Sequence, residues 1–276
     1  MGNKAAVFPL QLLGFDVDVI NSVNFSNHTG YQNGFKGEVL SGDQLLSLLD
    51  GLERNALVED TRHLLTGYIG SESFLRAVLD VLSALRKNGR SVRYVCDPVL
   101  GDRGNFYVPR DLVDVYKELV LPVADVLTPN QFEVEQLTGI SIRSLKDAKD
   151  ACSHLHGCGP ALVVITSVQF EDRGDILAVL ASQRVDGSDS LWMVECPLLP
   201  GQFTGTGDLF ASLLLAHTAQ PTHLLPVALE KVMNTMYAVL KRTLAQTKYP
   251  SELQLIQSKN DIEDPPHMFK VYQLED

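Results

Sequence analysis

Short apolar runs that stop abruptly on polar or glycine-containing turns recur through the first two thirds of this chain, with segments of helical spacing between them. Residues 17–23 form a β-branched run closing on Asn24-Phe25-Ser26-Asn27-His28-Thr29-Gly30-Tyr31. Residues 62–66 close on Gly67-Tyr68, 92–96 on Asp97-Pro98, 124–127 on Thr128-Pro129-Asn130, and 162–165 on Thr166-Ser167. Each run is mostly continuous in hydrophobicity and bounded by breakers, the mark of a strand buried on both faces. Between them, residues 44–55 place Leu45, Leu48, Leu49 and Leu52 at helical intervals, and residues 73–87 repeat the pattern with Phe74, Val78, Val81, Leu82 and Leu85. Such alternation implies right-handed crossovers, a mainly parallel sheet with helices on both faces, and ligands gathered where the strands end.

After Thr166 the pattern changes. Residues 175–182 and 190–196 read as an antiparallel pair about a turn at Asp186-Gly187-Ser188. Helical spacing follows over residues 209–217 and 225–247, where Val227, Leu229, Val232, Met236, Val239 and Leu240 mark a core face. No internal repeat, low-complexity tract or linker divides the chain, so its 276 residues are expected to form one α/β domain.

With 45% hydrophobic and 21% charged residues, the chain can bury a sizeable core. Its 23 Lys plus Arg against 34 Asp plus Glu give a net charge of -11, which argues against a nucleic-acid or anionic-membrane surface while allowing a local pocket for a small anion. No run approaches the roughly 18 to 20 apolar residues of a spanning helix. Met1-Gly2-Asn3-Lys4-Ala5-Ala6 lacks a signal-peptide core and fails the myristoylation pattern. Cys96, Cys152, Cys158 and Cys196 are too few and too irregular for a disulfide framework, so a reducing cytoplasm is expected. Cys152, His154, His156 and Cys158 are zinc-ligand types at spacings unlike ordinary zinc pairs, and they read better as a helix end before a strand.

The strongest chemical signal is Phe203-Thr204-Gly205-Thr206-Gly207-Asp208, followed at once by an apolar helix. The glycines allow the backbone close to a ligand, and the free N–H groups of a first helical turn can hold phosphoryl charge. A carboxylate there suits a base that takes the proton of a hydroxyl attacking a γ-phosphate, although Asp208 could equally be a helix cap. Asp97-Pro98-Val99-Leu100-Gly101-Asp102 sets two carboxylates past a strand end, placed for Mg²⁺ or simply within a polar loop. Thr128-Pro129-Asn130-Gln131-Phe132-Glu133 opens a helix with an amide and a carboxylate one turn apart, aimed at metal and phosphates or merely a capping-box variant. The chain has no P-loop, no G-x-S-x-G and no H-E-x-x-H, and its glycine run is too short and too late for a dinucleotide fingerprint.

Asn130-x-x-Glu133 with Gly205-Thr206-Gly207-Asp208 resembles the ribokinase-like kinases. The segments from Phe25 to Tyr31, Leu65-Thr66-Gly67-Tyr68, Tyr94 to Asp102, Leu127 to Glu133, and Gln257-Ser258-Lys259-Asn260-Asp261-Ile262-Glu263-Asp264-Pro265 narrow the resemblance to pyridoxal kinases over nearly the whole chain. The resemblance implies a three-layer α/β/α sandwich with a mainly parallel central sheet. It also implies phosphorylation of the hydroxymethyl group of pyridoxal, pyridoxine or pyridoxamine by ATP with Mg²⁺ and a monovalent cation, K⁺ or Na⁺. Asp208 would be the base, within an anion hole of Gly205, Thr206 and Gly207. Thr29, Tyr68 and Tyr107 would surround the substrate. Asp97, Asn130, Gln131, Phe132, Glu133, Thr166, Ser167, Phe203 and Thr204 match nucleotide positions, and Asp97, Asp102, Thr128, Glu133 and Thr166 match metal positions. Family members are usually homodimers.

Two departures accompany the match. The family begins with a buried strand ending in a ring-binding serine, whereas here Gly2-Asn3-Lys4-Ala5-Ala6 corresponds to the start of the helix that follows, so that strand is expected to be missing and the chain N-terminally truncated. The segment from Asp102 to Tyr107 is short for the family's lid. Two alternatives follow: an inactive or impaired truncated isoform, and a hydroxymethylpyrimidine kinase of the same superfamily.

Overall fold

The computed structural model describes residues 2–220, 222–246 and 252–274. In chain order its helices and strands are α1 (Asn3–Leu12), β1 (Val23–Phe25), β2 (Gly37–Val39), α2 (Gly42–Arg54), β3 (His63–Thr66), α3 (Glu72–Leu85), β4 (Arg93–Cys96), β5 (Gly101–Asp102), β6 (Asn105–Phe106), α4 (Leu112–Val115), β7 (Val126–Leu127), α5 (Gln131–Thr138), α6 (Leu145–Cys158), β8 (Leu162–Val168), β9 (Ile176–Val185), β10 (Ser188–Pro197), α7 (Thr206–Thr218), α8 (Leu225–Leu244), α9 (Lys259–Glu263) and β11 (Tyr272–Leu274). One sheet runs β11-β10-β9-β8-β7-β4-β3. Its β3, β4, β7 and β8 are mutually parallel, while β9, β10 and β11 extend it antiparallel.

The period of two in a strand explains the layers. Tyr94 and Cys96 of β4, Leu127 of β7, and Val163 and Ile165 of β8 face a core shared with α2, α3, α5 and α6. Their neighbours Val95, Val126, Leu162 and Val164 face a second core built with α1, α7 and α8. Strands buried on both faces read as continuous apolar runs, which is why residues 92–96 and 162–165 were visible in the sequence. Helix starts are equally local: Ser41, Asn130 and Ser144 each form a reciprocal capping box with the residue three positions on. The β9–β10 turn sits at Asp186 and Gly187, both with positive φ (50° and 81°), as a type I′ hairpin demands.

The structure corrects one strand. Residues 17–22 carry no strand pairing, and the first strand, Val23–Phe25, pairs antiparallel with β2 outside the main sheet. A parallel strand is stabilised only by its ladder, and among the described residues β3, the sheet edge on this side, pairs with β4 alone. The segment instead lies beside β3, with Phe15 edge-on to His63 and the Ser22 hydroxyl donating to the Tyr68 carbonyl at 2.6 Å. The long helix expected over 225–247 ends at Leu244, and Thr247 lies outside the described residues. Cys152 to Cys158 do close a helix before a strand, and both ring nitrogens of His156 are engaged, by the Pro160 carbonyl (2.7 Å) and the Ser182 hydroxyl (2.8 Å).

Candidate active site

The C-terminal ends of the parallel strands and the first turn of α7 converge. Gly205, at φ 88°, turns the chain into α7, and Leu209 N–H is bonded to Gly205 O. The N–H groups of Thr206, Gly207 and Asp208 precede that first bond and face outward from the helix start. Thr204 is held by a bridge to Glu252, a residue that also accepts from the Tyr31 hydroxyl at 3.0 Å and lies 3.7 Å from His28. The exposed turn carrying Thr29 is thereby tied to the loop that enters α7.

Two glycines set how closely these parts approach. A Cβ on Gly207 would stand 2.8 Å from Asp97 Oδ2, and one on Gly67 would stand 3.0 Å from Asp208 Oδ1. The start of α7 is therefore wedged between the β4 end, carrying Asp97, and the β3 end, carrying Gly67 and Tyr68. Asp208 Oδ2 accepts from the backbone N–H of Gly2 at 3.1 Å. Burial raises the Asp208 pKa above the usual carboxylate value, and the Gly2 hydrogen bond opposes the shift.

Asp97 is only 4% exposed. Its pKa is held well above the carboxylate range by burial, then by the charges of Glu133 and Asp208, against a hydrogen bond from Thr128. Glu133, 3% exposed, has both oxygens in use. One accepts from Leu100 N–H (3.0 Å) and Gly101 N–H (3.5 Å), and the other from Asn130 N–H (2.8 Å). Burial nonetheless pushes Glu133 up to about 7, against those backbone bonds, with Asp102 adding to the rise. The Asn130 amide donates to Gly101 O at 2.8 Å, so the pair forms a capping box and also ties α5 to the β5–β6 hairpin.

The remaining expected residues fall into two groups. Thr128 is buried, and Thr166 and Ser167 lie where β8 breaks register against β9. Phe132 packs edge-on to Phe106 with ring centroids 5.1 Å apart, placing it under the hairpin that carries Tyr107. Tyr107 itself is 56% exposed. The hairpin turns on Arg103 and Gly104, both with positive φ, which accounts for the shortness of the segment from Asp102 to Tyr107. Gln131 spends its side chain elsewhere, bonding Ile142 O (2.9 Å) and Gln169 N–H (3.2 Å), and Phe203 packs with the core around α7. Asp102 lies beside Arg103 at 3.8 Å.

Among the described residues no three His, Cys, Asp or Glu side chains converge as a metal cage. Asp97 is the carboxylate available to a cation, and one carboxylate beside the free amides of a helix start fits Mg²⁺, which keeps several waters and takes the rest of its ligands from phosphate oxygens. Sequence reasoning missed Gly67 and Gly2 as neighbours of Asp208; a glycine closing a strand run was the only trace of the first.

A family model described as "Phosphomethylpyrimidine kinase" matches residues 51–250. The chain is 49% identical over 275 residues to a pyridoxal kinase of Arabidopsis thaliana, covering 96% of this chain and 87% of the relative, and 45% identical over 287 residues to that of Homo sapiens, covering 96% and 91%. It superposes on a pyridoxal kinase from Leishmania donovani, solved in complex with ADP and ginkgotoxin, with a TM-score of 0.94 and 34% identity, covering 100% of this chain and 95% of the other. Fold and relatives agree, and the chain belongs to the pyridoxal kinase family.

Proposed function

We propose that this chain transfers the γ-phosphoryl group of ATP to the hydroxymethyl group of pyridoxal, pyridoxine or pyridoxamine. The observation that carries the reading is Asp208 at the first turn of α7, with one oxygen facing Gly67 at the β3 end and with Asp97 at the neighbouring strand end. Solved structures of the Leishmania donovani relative hold ADP with pyridoxamine or with pyridoxine, which supports the same two ligands here.

Asp208 takes the proton of the substrate hydroxyl as its oxygen forms a bond to the γ-phosphorus, and the bond to the ADP oxygen breaks with its electron pair leaving on ADP. The N–H groups of Thr206 and Gly207 face the charge of the transferring phosphoryl group. Tyr68 offers an aromatic wall to a flat pyridine ring, with Thr29 and Tyr107 closing over it. Asp97 holds Mg²⁺, which supplies charge neutralisation to the phosphates when bound, and Thr128 with Thr166 serves a monovalent cation. The four cysteines are free thiols, in keeping with a cytoplasmic enzyme.

Purified protein should consume ATP with each of the three vitamers and not without them. Asp208→Ala should lower kcat by about 10²- to 10⁴-fold while the melting temperature stays within a few degrees. Wild-type turnover in that variant would refute the base. The matching family model is described as a phosphomethylpyrimidine kinase, so a substituted pyrimidine is the second acceptor to test. A competition assay between the two ring systems separates the readings, and a preference for the pyrimidine would overturn the first.

A further inference from the structure

We propose that Gly2 is a positioning residue for Asp208: its backbone N–H anchors Oδ2 so that Oδ1 alone is presented to the acceptor hydroxyl. The inference rests on Asp208 as the base and adds what holds that base in place.

The two oxygens of Asp208 have different surroundings. Oδ2 accepts from Gly2 N–H at 3.1 Å, whereas Oδ1 lies where a Cβ on Gly67 would come within 3.0 Å. A carboxylate with neither oxygen held turns about its last torsion, which is broad and roughly two-fold. Anchoring one oxygen selects the orientation in which the other meets the substrate. A base must stand about 2.6–3.2 Å from the proton it takes, so the selection bears directly on rate.

Gly2 can make this contact because of its backbone. At φ 60° and ψ -130° it occupies a region essentially closed to residues with a Cβ. In that conformation its carbonyl turns into α1, accepting from Ala5 N–H at 2.7 Å and Ala6 N–H at 3.3 Å, while its own N–H points out toward α7. One residue therefore closes the first turn of α1 and holds the base. The donor is rigidly mounted: Ala5 and Leu10 of α1 pack in the same core as Leu209 and Leu213 of α7, and the Asn3 amide donates to Ile20 O (3.1 Å) and Asn21 Oδ1 (2.7 Å). The path from Gly2 N–H to Asp208 thus runs between two packed helices.

The test is a double-mutant cycle. Gly2→Pro removes the donor, and Gly2→Ala keeps it but places a Cβ at a φ that disfavours it. Both should lower kcat by roughly 10- to 100-fold, with the KM for MgATP within about two-fold and the melting temperature within a few degrees. In an Asp208→Ala background Gly2→Pro should cause no further loss, because its effect passes through the absent carboxylate. Unchanged kcat in both Gly2 variants overturns the inference. So does a fall in kcat that is matched by collapse of the melting temperature and of MgATP binding, or one that is fully additive with Asp208→Ala. Undiminished turnover in Asp208→Ala alone is a different failure, that of the base itself.

Discussion

Asp97, Glu133 and Asp208 crowd one end of the sheet, and they are not equivalent. Backbone donors satisfy both oxygens of Glu133, and one N–H anchors Asp208, whereas Asp97 faces two like charges with a hydroxyl for support. A carboxyl whose folded pKa is raised is favoured protonated, so its contribution to stability falls as pH rises above the unfolded value near 4. At pH 8 the protein without cation carries more of this cost than at pH 5. Asp97→Asn should therefore raise the melting temperature at pH 8 by a few degrees, on the order of 1 kcal/mol, with a smaller gain at pH 5. The same variant should weaken the dependence of turnover on Mg²⁺. A melting scan at the two pH values with a Mg²⁺ titration of activity checks both, and a lower melting temperature at pH 8 would refute the crowding argument. The sequence put Asp97 past a strand end and Glu133 and Asp208 at helix starts, but did not show that Glu133 is consumed by Leu100 and Gly101 amides. That depends on a hairpin 30 residues away folding back onto α5, which no local pattern encodes.

Elements were legible where local chemistry decides them. Gly205 before an apolar run, Ser and Asn caps, and Asp186-Gly187 between alternating strands each name one backbone conformation. Residues 17–23 misled because a β-branched run states a preference that only a neighbouring strand can realise. Helix α7 carries a further property that its spacing does not reveal. His217, in its last turn, is 4% exposed, and its Nε2 has no hydrogen-bond partner among the described residues. Burial, with Lys231 and His223 nearby, lowers its pKa to about 4. A histidine held neutral in the fold contributes stability that is present above the unfolded pKa near 6.5 and lost as pH falls toward the folded value. For His217 the loss is roughly 3 kcal/mol between pH 6.5 and 4. His63 and His156 shift in the same direction and add to the slope. His217→Leu should flatten the acid limb of the stability curve measured by urea unfolding at a series of pH values; an unchanged limb would place the cause elsewhere.

At the scale of the whole molecule, acidity and phosphate chemistry are compatible in the proposed reading, because backbone N–H groups and a cation would meet the anion with no basic surface required. The sheet supplies the frame. Among the described residues its inner strands are paired on both edges, while the end strands β3 and β11 have one partner each, β4 and β10. In the parallel register Leu64 faces Tyr94 and Thr66 faces Cys96, and Thr66 O accepts from Asp97 N–H at 2.9 Å while Arg62 O accepts from Arg93 N–H at 3.0 Å. The alternation of a parallel ladder therefore turns the backbone groups of Leu64 and Thr66 toward β4 and those of His63 and Leu65 toward the open side. Gly67 and Tyr68 continue directly from edge strand β3, so the wall proposed for the substrate rests on a strand that is paired from one side. Amide exchange followed residue by residue should find His63 and Leu65 exchanging much faster than Leu64 and Thr66, and the amides of Val164 and Ile165 in β8 among the slowest. Ligands that bridge Tyr68 and Asp208 should slow exchange at Leu64 and Thr66, because closing the site ties the β3 end to α7. Equal protection along all four β3 residues would show a second strand partner for β3 and remove the asymmetry on which this expectation rests.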